Sequence, residues 1–142
     1  APKNTTAQYV FQVSNSTAFC SFLPSQPGQE VAANEKTGVP FCTEEGLGGQ
    51  IFPDGFIQRV NFTTTDTFVQ VRANINASAY ELQPNDGGGQ YDYHDVSGQC
   101  VGYPYFVNLV EPDTQDLCIR CCQQKEDCNI NVSGYGCNRV IP

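Results

Sequence analysis

Cysteine content constrains this chain more than any other feature of the sequence. Eight cysteines occur in 142 residues, and five of them lie between positions 118 and 137. A zinc site usually needs paired Cys-x-x-Cys knuckles or several histidines, and His94 is the only histidine in the chain. An even number of cysteines at this density is typical of disulfides formed in an oxidising compartment. We therefore expect four disulfides and predict neither a metal site nor a cofactor.

The spacing of the C-terminal cysteines suggests how they pair. Cys118 and Cys122 lie one helical turn apart, and Asp113 or Thr114 can cap a helix, so the pattern predicts a helix over about 114–124. A returning segment would meet the two cysteines in nested order, and Cys121 would point elsewhere. This hypothesis, one of many connectivities, predicts the pairs Cys122–Cys128, Cys118–Cys137, Cys100–Cys121 and Cys20–Cys42.

Alternating apolar side chains predict strands along most of the chain. Tyr9, Phe11 and Val13 share one face, and similar patterns occur at 56–62, 68–71 and 105–110. Stretches rich in glycine and proline separate these segments, and no long amphipathic crossover helix is present. The sequence thus predicts a mainly β fold, an antiparallel β-sandwich or small barrel with one short C-terminal helix. We expect a single domain over 1–142, with residues 1–8 flexible.

Charge and hydropathy limit the classes of partner. Seven basic against fifteen acidic residues give a net charge of −8 and a pI near 4.3, which disfavours nucleic acid and anionic lipid surfaces. No apolar run approaches the ~18 residues of a membrane span, so no membrane insertion is predicted. The chain begins without a basic and apolar leader, and we interpret it as the mature form of a secreted, extracellular protein.

Sites for N-linked glycans support a secreted glycoprotein. Five Asn-x-Ser/Thr sequons have no proline in the middle position, and such sequons accept glycans in secreted proteins. Glycosylation is predicted at Asn4, Asn15, Asn61, Asn76 and Asn131.

The segment 85–95 and the later tyrosines supply the candidate binding residues. The segment is rich in glycine, carboxylates and aromatic rings, although its spacing matches no calcium loop and an ordinary surface loop is the simpler interpretation. The candidates are Asp86, Tyr91, Asp92, Tyr93, His94, Asp95, Tyr103 and Tyr105. No Gly-x-Ser-x-Gly elbow accompanies His94, so we predict no catalytic residues and no enzyme activity.

Several short motifs also resemble a known family. They are FCSFLP at 19–24, FCT at 41–43, FPDGFI at 52–57, FVQV at 68–71 and DGGGQYD at 86–92, followed by the cysteine-rich tail. Together they resemble small secreted fungal proteins, nearest to the immunomodulatory glycoproteins of medicinal bracket fungi. The resemblance implies a non-enzymatic protein that macrophage surface receptors recognise. A carbohydrate-binding or cell-wall protein and a small hydrolase around His94 remain alternatives, and the partner would be a cell-surface receptor or a glycan. The sequence leaves the oligomeric state open.

Overall fold

A computed structural model describes residues 7–131 and 136–137. Two expectations, the flexibility of residues 1–6 and glycosylation of Asn4, lie outside the described residues. The strands are β1 (Tyr9–Phe11), β2 (Val13–Asn15), β3 (Ala18–Leu23), β4 (Val39–Cys42), β5 (Gln50–Ile51), β6 (Ile57–Thr64), β7 (Phe68–Ile75), β8 (Gly89–Asp92), β9 (Gly98–Cys100), β10 (Tyr105–Glu111) and β11 (Asp116–Cys122). Short 3₁₀ helices occupy Ala32–Thr37, Ala77–Tyr80, Pro112–Thr114 and Lys125–Asp127.

The strands form three sheets. An antiparallel five-stranded sheet has the order β6-β7-β11-β10-β8, and a four-stranded sheet has the order β2-β3-β4-β5. Strand β3 packs against β10 and β11, which makes a sandwich of the two sheets, while β1 pairs in parallel with β9 at one side. The prediction of a mainly β fold held by disulfides is confirmed. Within the described residues no helix is long and apolar enough to cross a membrane.

Aromatic rings fill the space between the two large sheets. Phe22 is fully buried at the centre, with its ring centroid 5.3 Å from that of Phe11, 5.5 Å from Tyr91 and 5.7 Å from Phe106. Asn108 is also fully buried here. Its Oδ1 accepts the backbone N–H of Phe22 at 2.8 Å, and its Nδ2 donates to the carbonyl of Cys118 at 2.9 Å. A buried amide with its partners satisfied fixes how the two sheets meet.

The predicted helix over 114–124 is wrong, because this segment contains the end of a hairpin loop and the second strand of that hairpin, β11. Glu111 pairs with Asp116 at the end of β10 and β11, and the four residues between them form the connection. Pro112 begins a 3₁₀ turn, and Gln115 has φ of +57°, a left-handed conformation that ends it. The residues that suggested a helix cap therefore form a hairpin loop, and β11 is the central strand of its sheet.

All four predicted disulfides are present, and no cysteine is free. Cys20 and Cys42 face each other across β3 and β4, and Cys100–Cys121 ties β9 to the five-stranded sheet. The other two bridges, Cys118–Cys137 and Cys122–Cys128, fasten the C-terminal segment to β11. The order of pairing that the sequence suggested is therefore confirmed.

The five-stranded sheet is covered on both faces. Alternate residues of β10 and β11 contribute to a second apolar cluster, distinct from the core between the sheets, which contains Val107, Leu109, Cys118, Cys122, Cys128 and Cys137. Half-buried Ile130 packs against it. We call the described C-terminal segment that covers this face, residues 123–131 and 136–137, the outer layer. It forms one wall of the site described next.

Candidate functional site

Glycines allow β8 to enter the sheet at its edge. Gly88 has φ of +91°, and a side chain there would collide with the carbonyl of Val110 in β10. A side chain at Gly89 would collide with Ala32 and with the carboxylate of Glu35. These glycines therefore serve close packing of β8 between β10 and the Ala32–Thr37 helix, and this packing brings Glu35 to the start of β8.

A turn held by Asp92 presents two polar side chains to solvent. Asp92 is buried at the end of β8, where its Oδ1 accepts the backbone N–H groups of His94 at 3.0 Å and Asp95 at 2.9 Å. Its Oδ2 accepts a hydrogen bond from Nε2 of Gln90 at 2.6 Å. Carboxylates that accept backbone N–H groups in this way stabilise turns. Asp92 therefore shapes the loop, and His94 and Asp95 are its exposed groups.

An open cleft of about 600 Å³ lies beside this turn. Glu35 lines it from one side, the turn from another and the outer layer from a third. The lining residues are Glu35, Gln90, Asp92, Tyr93, His94, Asp95, Lys125, Ile130 and Asn131. A second recess, of about 410 Å³, shares Tyr93, Lys125, Ile130 and Asn131 with it. We refer to the two together as the cleft.

Tyr93 supplies the aromatic surface of the cleft. Its ring is half-buried and meets the ring of Tyr105 edge to face, with centroids 4.9 Å apart and planes at 73°. Such an arrangement holds a ring in one orientation. Tyr105 therefore acts as a support behind Tyr93.

Carboxylates dominate the charge of the cleft. Oε2 of Glu35 accepts the backbone N–H of Gln90 at 2.9 Å. Burial raises the pKa of Glu35, the negative charges of Asp95 and Asp92 raise it further, and the hydrogen bond from Gln90 opposes them. Nδ1 of His94 lies 3.0 Å from Oδ1 of Asp95, an exposed pair that adds little to stability. The cleft thus offers hydrogen-bond acceptors of several kinds, with Lys125 at its rim.

Three side chains of the turn could in principle bind a cation. One ligand atom each from Asp92, His94 and Asp95 lies within 4.8 Å of the others. However, both oxygens of Asp92 already accept hydrogen bonds within the protein. We therefore assign no metal to this group.

The structure separates the eight candidate binding residues. Tyr93, His94 and Asp95 line the cleft, Asp92 holds the turn, and Tyr105 supports Tyr93. Two others are corrected, because they are not available at the surface. Tyr91 is fully buried against Phe22, with a hydroxyl that has no hydrogen-bond partner among the described residues and a pKa raised by burial. Asp86 is buried and structural, accepting backbone N–H groups of Val31 and Gly88. Tyr103, half-buried beside Cys100, does not line the cleft.

Sequence reasoning did not place Glu35, Gln90 or the outer-layer residues in the cleft, and these include Lys125, Ile130 and Asn131. Glu35 lies 55 positions from Gln90, the residue whose N–H it accepts, and no local pattern links such distant positions. Asn131 carried a sequence signal, its sequon, but that signal indicates a modification and gives no location in the fold.

The four sequon asparagines that the structure describes lie at the surface. Asn15, Asn61, Asn76 and Asn131 are exposed. Oδ1 of Asn15 accepts the hydroxyl of Thr17 at 2.9 Å, and Oδ1 of Asn76 accepts the hydroxyl of Ser78 at 2.7 Å. All four asparagines are therefore accessible to a glycan, as the prediction of glycosylation requires.

Comparison with known proteins finds two similar fungal proteins. The chain is 34% identical over 146 aligned residues to Appressorium protein ROW1 of Mycosarcoma maydis, covering 87% of this chain and 34% of that protein. It is 30% identical over 103 residues to Appressorium protein ROW2 of the same organism, covering 70% of this chain and 36% of that protein. The chain thus spans about a third of the length of these relatives.

No family model matches the chain, and no solved structure matches it. The fungal character implied by the sequence resemblance agrees with the two relatives, whose names do not refer to the bracket-fungus immunomodulatory proteins. The chain is similar to a segment of fungal appressorium proteins.

Proposed function

We propose that this protein is a non-enzymatic, extracellular fungal protein that binds neutral glycans of a cell wall in the cleft. One observation carries the proposal, which is the convergence of an oriented aromatic ring and several hydrogen-bond acceptors at an open cleft. Tyr93, Asp95 and Glu35 come from two separate segments, and the outer layer closes the third side. The names of the two relatives are consistent with a role in a fungal structure.

The chemistry of the cleft fits a sugar ring. The C–H face of a sugar packs on an aromatic ring, and its hydroxyls donate to carboxylate and imidazole acceptors. Glu35, Asp92 and Asp95 together with a net charge of −8 disfavour anionic polysaccharides. Neutral β-linked oligosaccharides, such as oligomers of N-acetylglucosamine or glucose, are the ligands we expect.

The arrangement of potential catalytic groups supports a binding role over catalysis. The His94 side chain is 74% exposed, and within the described residues its ring pairs with Asp95 and with no hydroxyl nucleophile. Every cysteine is in a disulfide, so no thiol is available as a nucleophile. The same disulfides support folding in an oxidising compartment and hence secretion.

Binding to defined oligosaccharides tests this function. Enzymatically deglycosylated protein is titrated with hexamers of N-acetylglucosamine and of β-linked glucose, and binding is measured by calorimetry. We expect one of them to bind, and Tyr93→Ala to weaken that binding at least about fivefold, since stacking on an aromatic ring contributes roughly 1 kcal/mol or more. Tyr103→Ala, which removes a half-buried tyrosine outside the cleft, is the matched control.

Failure of both hexamers to bind, or equal losses in the two variants, would contradict glycan binding in the cleft. Release of shorter oligosaccharides during the titration would contradict the non-enzymatic assignment. Glu35→Gln would then show whether the carboxyl with the raised pKa acts as the acid.

Recognition by macrophage receptors, which the sequence resemblance implied, stays a prediction. The exposed sequon asparagines support it, because a receptor could read their glycans. Cytokine release that is lost on reduction of the disulfides and unaffected by endotoxin removal is the result expected, and release that follows endotoxin content would contradict it.

A further inference from the structure

Asn131 occupies a position that the other described sequon asparagines do not share. It lines both parts of the cleft, beside Tyr93, Lys125 and Ile130. Asn61, by comparison, lines a polar recess with Arg72, Ala73, Asn74, Asp116 and Leu117, a set that contains no aromatic ring. A glycan attached to Asn131 would therefore begin at the wall of the cleft.

We propose that the N-linked glycan of Asn131 folds into the cleft and occupies it, so that glycosylation of this residue controls access of other glycans. The inference rests on the proposed function, because it assumes that the cleft accepts a sugar. The first sugar of an N-linked glycan is N-acetylglucosamine. This sugar belongs to the class of ligand that suits the aromatic ring and the hydrogen-bond acceptors of the cleft.

Attachment itself is ordinary sequon chemistry. Nδ2 of Asn131 forms a bond to C1 of the N-acetylglucosamine of a lipid-linked oligosaccharide diphosphate. The C1–O bond to the diphosphate breaks, the lipid diphosphate leaves with the bonding electrons, and the amide nitrogen loses one proton. Asn131 is exposed, and the sequence places Ser133 at the third position of the sequon.

The root of this glycan is held in a fixed place. The carbonyl of Ile130 accepts a hydrogen bond from Nε2 of Gln90 at 3.0 Å, and the backbone N–H of Asn131 donates to Oδ1 of Asn129 at 2.9 Å. Three positions earlier, Cys128 is bonded to Cys122 of β11. The attachment point is therefore anchored to the same sheet that carries Tyr93 next to the end of β8.

A tethered ligand competes strongly even when its own affinity is low. A short flexible tether gives an effective concentration in the millimolar range. If the cleft binds the attached sugar with a dissociation constant about tenfold below that concentration, the apparent dissociation constant of a free oligosaccharide rises about tenfold. The attached glycan would thus keep the cleft closed to weakly binding glycans.

Site-resolved release of the glycans tests the docking directly. Folded glycoprotein is treated with a peptide N-glycosidase, and the occupancy of Asn131 and Asn15 is followed by mass spectrometry. We expect release from Asn131 to be at least about fivefold slower than from Asn15, and Tyr93→Ala to remove most of this difference, whereas Tyr103→Ala should preserve it. His94→Ala provides a second variant at the exposed side of the cleft, should Tyr93→Ala fold poorly. An unoccupied Asn131, or equal release in the wild type and in both cleft variants, would overturn the proposal.

A second experiment separates this inference from the proposed function. It measures how tightly glycosylated variants bind the free hexamer that the deglycosylated protein recognises. The Asn131→Gln variant, glycosylated at its other sequons, should bind the free hexamer about tenfold more tightly than glycosylated wild type. The Asn15→Gln variant should bind the hexamer with the affinity of wild type. If all three bind equally, docking of the glycan is overturned and glycan binding stands. If deglycosylated protein binds neither hexamer, the proposed function fails, and the release rates still decide whether the attached glycan lies in the cleft.

Discussion

The two faces of the five-stranded sheet are covered by different means. The inner face packs on a second sheet through large rings such as Phe22, Phe11 and Phe106, all buried almost completely. The outer face carries a small cluster in which four of six buried members are cysteines. The outer layer, with few apolar side chains of its own, is attached through Cys118–Cys137 and Cys122–Cys128.

This difference shows how a small domain stabilises a segment that cannot build its own core. The sandwich is stabilised in proportion to the apolar area that it buries. A disulfide, in contrast, stabilises a segment by limiting its conformational freedom in the unfolded state. Since the outer layer forms one wall of the cleft, covalent links on one face of the sheet maintain the candidate site. Variants that affect the two faces separately test this division.

The largest effect is expected from Phe22→Ala in the inner core. Loss of the ring leaves a cavity between the sheets, which should lower the free energy of unfolding by about 3–5 kcal/mol. Ile130→Ala in the outer layer, where the side chain is half-buried, should lower it by roughly 1 kcal/mol. Chemical denaturation measures both, and a similar loss in the two variants would remove the distinction between the faces.

Removal of single disulfides should distinguish the two faces, because different parts of the protein should unfold locally. Cys118→Ala with Cys137→Ala releases a bridge of sequence separation 19, and Cys20→Ala with Cys42→Ala releases one of separation 22. Chain entropy assigns each roughly 3 kcal/mol. We expect hydrogen exchange to increase over residues 125–131 in the first pair, with β3 still protected, and to increase throughout the sandwich in the second. Increased exchange of β3 in the first pair would contradict independent stabilisation of the outer layer.

The smallest effect concerns a carboxyl at the edge of the outer layer. Oε1 of Glu111 accepts the backbone N–H of Cys137 at 3.3 Å. Burial raises the pKa of Glu111, Asp116 and Asp113 raise it further, and the hydrogen bond from Cys137 and the charge of Arg72 lower it. A carboxyl whose pKa is raised on folding contributes stability that is present below the ordinary value of 4.5 and is lost as pH rises through the folded value.

Glu111→Gln keeps the acceptor and removes the titration. The melting temperature of this variant relative to wild type should therefore increase as pH rises from about 4 to 7. Thermal unfolding across that range measures the difference. A difference in melting temperature that stays constant with pH would show that ionisation of Glu111 does not destabilise the folded protein.

The disulfide prediction succeeded although its structural basis was wrong. Residues four apart share a face in a helix, and they also share a face in a strand, where side chains alternate with a period of two. Cys118 and Cys122 therefore share a face in either element, whereas only the strand turns Cys121 to the opposite face, where it bonds to Cys100. The helix itself was mispredicted because Pro112, Asp113 and Thr114 suit a 3₁₀ hairpin turn as well as a helix start, and pairing of β11 with β7 and β10 decided between them.

The alternating pattern of β6 is irregular, also because of pairing with a neighbouring strand. Phe56, Gln58, Val60 and Phe62 alternate in the sequence, but the pairing of β6 with β7 shifts register between Ile57 and Arg59. The bulge adds one residue, so that Ile57 pairs with Ile75 while Val60 pairs with Ala73. A bulge depends on the partner strand and leaves no clear local signal.

Within the described residues, the sequence by itself determined the β character, the four disulfides and the exposed turn with His94 and Asp95, because side-chain period, parity of cysteine spacing and turn chemistry act over a few neighbouring positions. Only the tertiary structure decided that Tyr91 and Asp86 are buried, and that Glu35 and Asn131 meet Tyr93 at one cleft. Burial and convergence depend on which strands pair and which layer covers them, and contacts between residues 55 or more positions apart leave no pattern in a single sequence.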